Sequence, residues 1–96
     1  MFEVQKTEEF GTWLSNLADQ RAQAKIVSHI ERLGFGNPGD VKPVGAGISE
    51  MRVPYGPGYR VYFKQTGKIV ILLLCGGDKS TQDKDIKRAK EIAAEL

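Results

Sequence analysis

KIVILLLCGGDKSTQDKDIKRAKEIAAEL, residues 68–96, is the stretch whose reading decides the fold. It opens on an unbroken apolar run, residues 69–75, that is too short and too rich in β-branched residues for a membrane helix. Bounded by a turn before it and by Gly76-Gly77 after it, the run reads as a strand at the centre of a sheet. Beyond the glycines the chain passes Asp78-Lys79-Ser80-Thr81 and enters a charged amphipathic helix, with Ile86, Ala89, Ala93 and Leu96 as a thin apolar stripe. Ser80 or Thr81 is the expected cap, and Asp83 lies three residues beyond Ser80 in the manner of a capping box. Lys84, Lys87, Arg88 and Lys90 give this helix a basic flank.

Working back from that strand, the turn at Thr66-Gly67 predicts a hairpin with residues 59–65. A two-residue turn there pairs Phe63 with Val70, Val61 with Leu72 and Tyr59 with Leu74. The loop Pro54-Tyr55-Gly56-Pro57-Gly58 joins residues 59–65 to a strand over residues 48–53 and sets Arg52 opposite Arg60. Like charges directly across a ladder are destabilising, so the pair needs either a diagonal Glu50 or a bound anion. Met51 and Val53 extend one apolar face. The other face carries Glu50, Arg52, Arg60, Tyr62 and Lys64 beside Ile69, Ile71 and Leu73, and needs a cover.

The first half of the chain supplies helices. Thr7 caps a helix whose stripe is Phe10, Trp13, Leu14 and Leu17, with Glu8 and Glu9 suited to the positive end of its dipole. Asp19 caps a second, with Ala22, Ile26, Ile30 and Leu33 in line and Gly34 as its left-handed stop. A short join predicts an antiparallel helical hairpin covering the apolar sheet face. Residues 2–5 alternate as a short strand, and residues 35–47 form a Gly- and Pro-rich loop with a short extended piece at 41–44.

The totals fit one domain spanning residues 1–96 with a single core: 41% hydrophobic and 27% charged, with no apolar run near the about 20 residues a bilayer requires. Nothing in the first ten residues suggests a signal peptide, and a lone cysteine in an apolar run suits a reducing cytoplasm. Residues 1–40 carry four basic against six acidic side chains, and residues 41–96 carry ten against six, so an anionic partner belongs to the second half. One Cys and one His cannot make a zinc site, and a catalytic triad has only His29 to draw on. Residues 76–81 lack the first glycine of a nucleotide-binding loop, and Asp78 separates glycine from lysine. Backbone N–H groups at a helix start, together with Lys79, can still bind a phosphate.

Ser49-Glu50-Met51-Arg52, residues 55–63 (YGPGYRVYF) and residues 73–86 (LLCGGDKSTQDKDI) together resemble the addiction-module killer proteins, the HigB-like members of the RelE/ParE toxin superfamily. Residues 40–45 fit the same pattern, so the resemblance covers essentially the whole chain. It implies an α+β domain in which an N-terminal helical hairpin packs on a small, mainly antiparallel twisted sheet, with a C-terminal helix. It further implies a type II toxin neutralised by a cognate antitoxin. In the RelE-like branch such a toxin is a metal-independent, cofactor-free endonuclease that cuts mRNA on the ribosome. Arg60 matches the family's third-strand arginine and Lys79 falls near its basic position after the last strand's glycine; both would stabilise charge while the RNA 2′-hydroxyl attacks its own phosphate. Arg52, Tyr62, Lys64 and Ser80 would be the substrate contacts, with Tyr62 stacking on a base. The terminal tyrosine of that branch has no counterpart, and Asp85 stands about where it would fall. Lys79 or Asp78 would then serve as base. The alternatives are a ParE-like inhibitor that binds DNA gyrase without enzymatic action, and a module that binds its antitoxin without nuclease activity.

Overall fold

The computed structural model describes residues 1–96. In chain order the elements are β1 (Glu3–Lys6), α1 (Glu8–Ser15), α2 (Gln20–Gly34), β2 (Val41–Gly45), β3 (Ile48–Val53), β4 (Tyr59–Thr66), β5 (Val70–Asp78), a one-turn 3-10 helix (Lys79–Thr81) and α3 (Gln82–Ala94). The strands form one sheet in the order β1-β5-β4-β3-β2. The apolar run thus lies inside the sheet, between β1 and β4.

The sheet is mixed, which corrects the expectation of a mainly antiparallel one. β1 lies parallel to β5, with Glu3 through Lys6 matched to Val70 through Leu73. The two helices carry the chain from β1 to β2 at the opposite edge, and three antiparallel turns then bring β5 back beside β1 in the same direction, a pairing that no hairpin signal announces. The helical hairpin is corrected as well. α1 packs against β5 and α2 against β3, so each helix docks on the sheet separately. Their stripes explain this, because Phe10, Trp13, Leu14 and Leu17 and then Ile26, Ile30 and Leu33 all enter one core with the sheet. The corner between them is held by Gln23, whose amide donates to the carbonyls of Leu14 and Leu17, each at 3.0 Å. Both helix starts follow the capping rule, with Thr7 accepting from the Phe10 N–H and Asp19 from those of Arg21 and Ala22.

The β4–β5 turn also differs from expectation. It holds three residues, 67–69, so Thr66 pairs with Val70 and Phe63 with Leu73. A bulge then inserts Leu74, after which Tyr62 faces Cys75 and Arg60 faces Gly77. The partner of Phe63 is thus three places beyond the expected Val70, and an odd slip moves a strand's whole side-chain set to the opposite face. Ile71 and Leu73 therefore join Phe10, Ile26, Met51, Val53 and Val61 under α1 and α2. α3 covers the other face, where Ile48, Tyr62, Leu74 and Cys75 meet Ala89 and Ile92. No helix of the molecule is long and apolar enough to cross a membrane.

Gly76 and Gly77 sit where both layers close on β5. A Cβ on Gly76 would stand 2.4 Å from the Trp13 ring, and one on Gly77 would collide with the Asp85 carboxylate. Close approach, not backbone freedom, requires these two glycines.

Candidate functional site

The loop between β3 and β4 places Arg52 opposite Arg60, and Glu50 opposite Tyr62. Glu50 is fully buried, and its carboxylate is the hub of the α3 face. One oxygen, Oε2, accepts from the Tyr62 hydroxyl at 3.1 Å and from the Gln82 amide at 2.8 Å. The other, Oε1, accepts from Arg52 Nε at 3.2 Å and has Lys42 Nζ at 4.0 Å. Arg60 Nε lies 3.7 Å from Oε2, an ion pair without a hydrogen bond. Burial pushes the Glu50 carboxyl upward, and the bonds from Gln82, Arg52 and Tyr62 with the Lys42 charge outweigh it, so the group titrates below the ordinary carboxylate range. Glu50 thus faces three cations, while Asp85 on Gly77 and Asp78 add two carboxylates at the same end of the sheet.

Arg60 is only 7% exposed, and its Nη1 donates to the Gly58 carbonyl at 2.8 Å. Gly58, at φ +82, is also where Lys79 arrives from the end of β5. A Cβ there would stand 3.4 Å from Arg60 Nη1 and 3.6 Å from Lys79 Cβ. Arg60 is fixed and internal, whereas Lys79 is exposed and makes no ion pair. Arg60 Nη1 and the base of the Lys79 side chain therefore both border Gly58, with Arg52 reaching the same Glu50 carboxylate from the neighbouring strand.

The other positions singled out from sequence fare differently. Tyr62 is fully buried with its hydroxyl committed to Glu50, so its ring offers no face to a base. Burial, followed by the Glu50 charge, pushes its phenol far up. Lys64 lies half-buried four residues along β4 from Arg60, with its stem against the β2–β3 turn at Gly47. Ser80 is exposed, and its N–H and hydroxyl both donate to Asp78, at 2.8 and 2.5 Å. Asp78, not Ser80, caps the one-turn helix, and α3 begins behind it at Gln82 with no side-chain cap. The capping box with Asp83 does not form. Its place is taken by Asp78 and Thr81.

Asp85 packs on Gly77 and accepts from the Thr81 hydroxyl. Burial raises its pKa against the opposing effects of Thr81 and Lys84. Burial, with Asp85 and Glu9 nearby, pushes the Cys75 thiol up to about 12. Two participants escaped the sequence reading. Gln82 and Lys42 hold Glu50 from α3 and β2, and only Gln82's place beside a helix start hinted at such a role. A cleft of about 580 Å³ between α1, β5 and α3 is separate from this constellation. Arg88 bridges it to Glu9, with contacts down to 2.7 Å.

A scan of protein-family models finds no match for the chain. A protein of Haemophilus influenzae strain Rd, described only as uncharacterized, is 55% identical over 94 residues. The match covers 98% of this chain and 95% of that protein.

Proposed function

We propose that this chain, which belongs to one family with the uncharacterized Haemophilus influenzae protein, is the toxin of a type II toxin–antitoxin module acting in the cytoplasm. Its resemblance to the HigB-like killer proteins supplies the class. The observation that carries the reading is that Arg60 Nη1 and the base of the Lys79 side chain both border Gly58, beside a cluster in which Glu50 faces three cations. In this reading the toxin cleaves mRNA on the ribosome. The RNA phosphate lies against Lys79 and the outer edge of Arg60, which stabilise the growing charge as the 2′-hydroxyl gives its proton to the Asp78 carboxylate and attacks phosphorus, and the 5′-oxygen leaves with a proton from Lys79. Arg52 and Lys64 hold neighbouring phosphates. Glu50 keeps Arg60 in place. A cognate antitoxin neutralises the toxin, and the ribosome completes the site.

A second reading has its own support. The Tyr62 ring is buried, Arg60 is largely internal, and Asp78 is occupied by Ser80. This arrangement lacks an obvious free base, and that favours a toxin that inhibits by binding, as the ParE-like branch does with DNA gyrase. The two part on one experiment. On induction in cells, the nuclease reading expects new mRNA 5′ ends by primer extension and their loss in Lys79→Ala. Growth arrest with intact mRNA and impaired supercoiling would replace it with the gyrase reading. No toxicity in the absence of the antitoxin would leave only a binding module.

A further inference from the structure

The two outer strands of the sheet end it in different ways. β2 carries Pro43, which has no N–H to offer, and a register shift between Pro43 and Gly45, both of which blunt an edge. β1 has neither. Glu3 N–H donates to the Ile69 carbonyl and Thr7 N–H to the Leu73 carbonyl, so residues 3, 5 and 7 turn their peptide groups toward β5. By the alternation of a parallel ladder, the N–H and C=O groups of Val4 and Lys6 point away from the sheet. The Phe2 N–H, next along this edge, is taken by the Gly34 carbonyl at 2.7 Å, so the edge is open at Val4 and Lys6. Beside it runs an apolar groove of about 320 Å³ between β1 and α2, lined by Val4, Phe10, Leu14, Val27 and Ile30. Val27 is 40% exposed there, and the groove continues past Ile30 to Phe35, 70% exposed. Lys6 and Glu31 stand on its rim, and neither has an ion-pair partner within the chain.

We infer that this edge is a homodimer interface, in which β1 of a second copy pairs antiparallel with β1 about a two-fold axis through Gln5. That register sets Val4 opposite Lys6 of the second copy, and Lys6 opposite its Val4. The outward peptide groups of the two residues then exchange four hydrogen bonds across the axis. Val4 and Lys6 share the helix-bearing face of β1, since Val4 packs in the core and the Lys6 stem lies against Gly11 of α1. Lys6 of each copy therefore enters beside Val4 of the other, at the rim where Glu31 waits without a partner. The two α2 helices come together at Val27. The chain is self-complementary at this edge in backbone pattern, apolar surface and charge, and no other occupant is specified on all three counts. The inference is independent of what the Arg60–Lys79 cluster binds.

Sedimentation equilibrium of the purified full chain tests it. We expect a concentration-dependent species of twice the 10.6 kDa chain mass, with slowed amide exchange at Val4 and Lys6 as it forms. Lys6→Glu should weaken dimerisation about tenfold by setting like charges against each other twice. Adding Glu31→Lys to it should restore the wild-type constant, which a merely destabilised fold would not do. Lys6→Pro removes an outward donor without touching the β1–β5 ladder and should abolish the dimer. A chain that stays monomeric at all concentrations overturns the inference. So does a dimer whose dissociation constant ignores the charge exchange, since its interface would lie elsewhere.

Discussion

The two faces of the sheet are built from the same three central strands and solve different problems. Under α1 and α2, Phe10, Ile26, Met51, Val53, Val61, Phe63, Ile71 and Leu73 close an all-apolar core. Under α3 the apolar contacts of Ile48, Tyr62, Leu74 and Ile92 share the layer with Glu50 and Arg60, both buried. One face is held by burial of hydrocarbon and is indifferent to pH and salt. The other is held partly by a carboxylate whose removal would strand buried positive charge. A small domain has little stability to spare, so damage to such a cluster is felt in full.

Equal damage to the two faces should expose this difference. Phe10→Ala and Glu50→Ala are each expected to destabilise by about 3–5 kcal/mol in urea melts near neutral pH, the first by leaving a cavity and the second by orphaning Arg60. Their pH profiles should diverge. The Glu50 pKa is lowered in the folded state, so its contribution is complete above the ordinary value of 4.5 and is lost as pH falls through the depressed pKa. The gap between wild type and Glu50→Ala should therefore narrow in acid, while the Phe10→Ala gap arising from lost packing stays. A parallel narrowing in both variants would contradict the division into an apolar and an ionic face.

Gly76→Ala comes next in size. Its methyl meets the Trp13 ring, a rigid group, and should cost about 1–3 kcal/mol, read as a lower urea midpoint with an unchanged slope. Lys79→Ala should sit at the bottom of the series, within about 0.5 kcal/mol of wild type, because the side chain is exposed and makes no ion pair. Its thermal midpoint should match that of the parent even where its effect on growth does not.

How much of this was legible in the sequence follows the same division between local and distant information. The β3–β4 ladder was readable because a defined five-residue loop sets it, and Arg52 does lie opposite Arg60. The helix stripes and the caps at Thr7 and Asp19 are local patterns and could be read as such. β5 was misplaced because its turn holds three residues and a bulge consumes Leu74, neither of which leaves a mark in an all-apolar run. That slip assigned Ile71 and Leu73 to the wrong face. The parallel pairing of β1 rests on four residues and a contact across most of the chain, beyond any periodicity. At the candidate site, the arginine pair demanded a counter-charge, which the sequence left open between Glu50 and a bound anion and the structure supplies as Glu50. That Tyr62 and Gln82 would bind the same carboxylate, and so bury Tyr62, depended on α3 lying across β4.

The claim that most needs testing is that the cationic junction at Gly58 acts on RNA. Primer extension on mRNA from cells inducing the wild-type chain, Lys79→Ala and Lys6→Glu measures it directly. New 5′ ends within translated regions are expected for the wild type and for Lys6→Glu, and none in a stably folded Lys79→Ala. Intact mRNA in arrested wild-type cells, or the same cuts with Lys79→Ala, would contradict it.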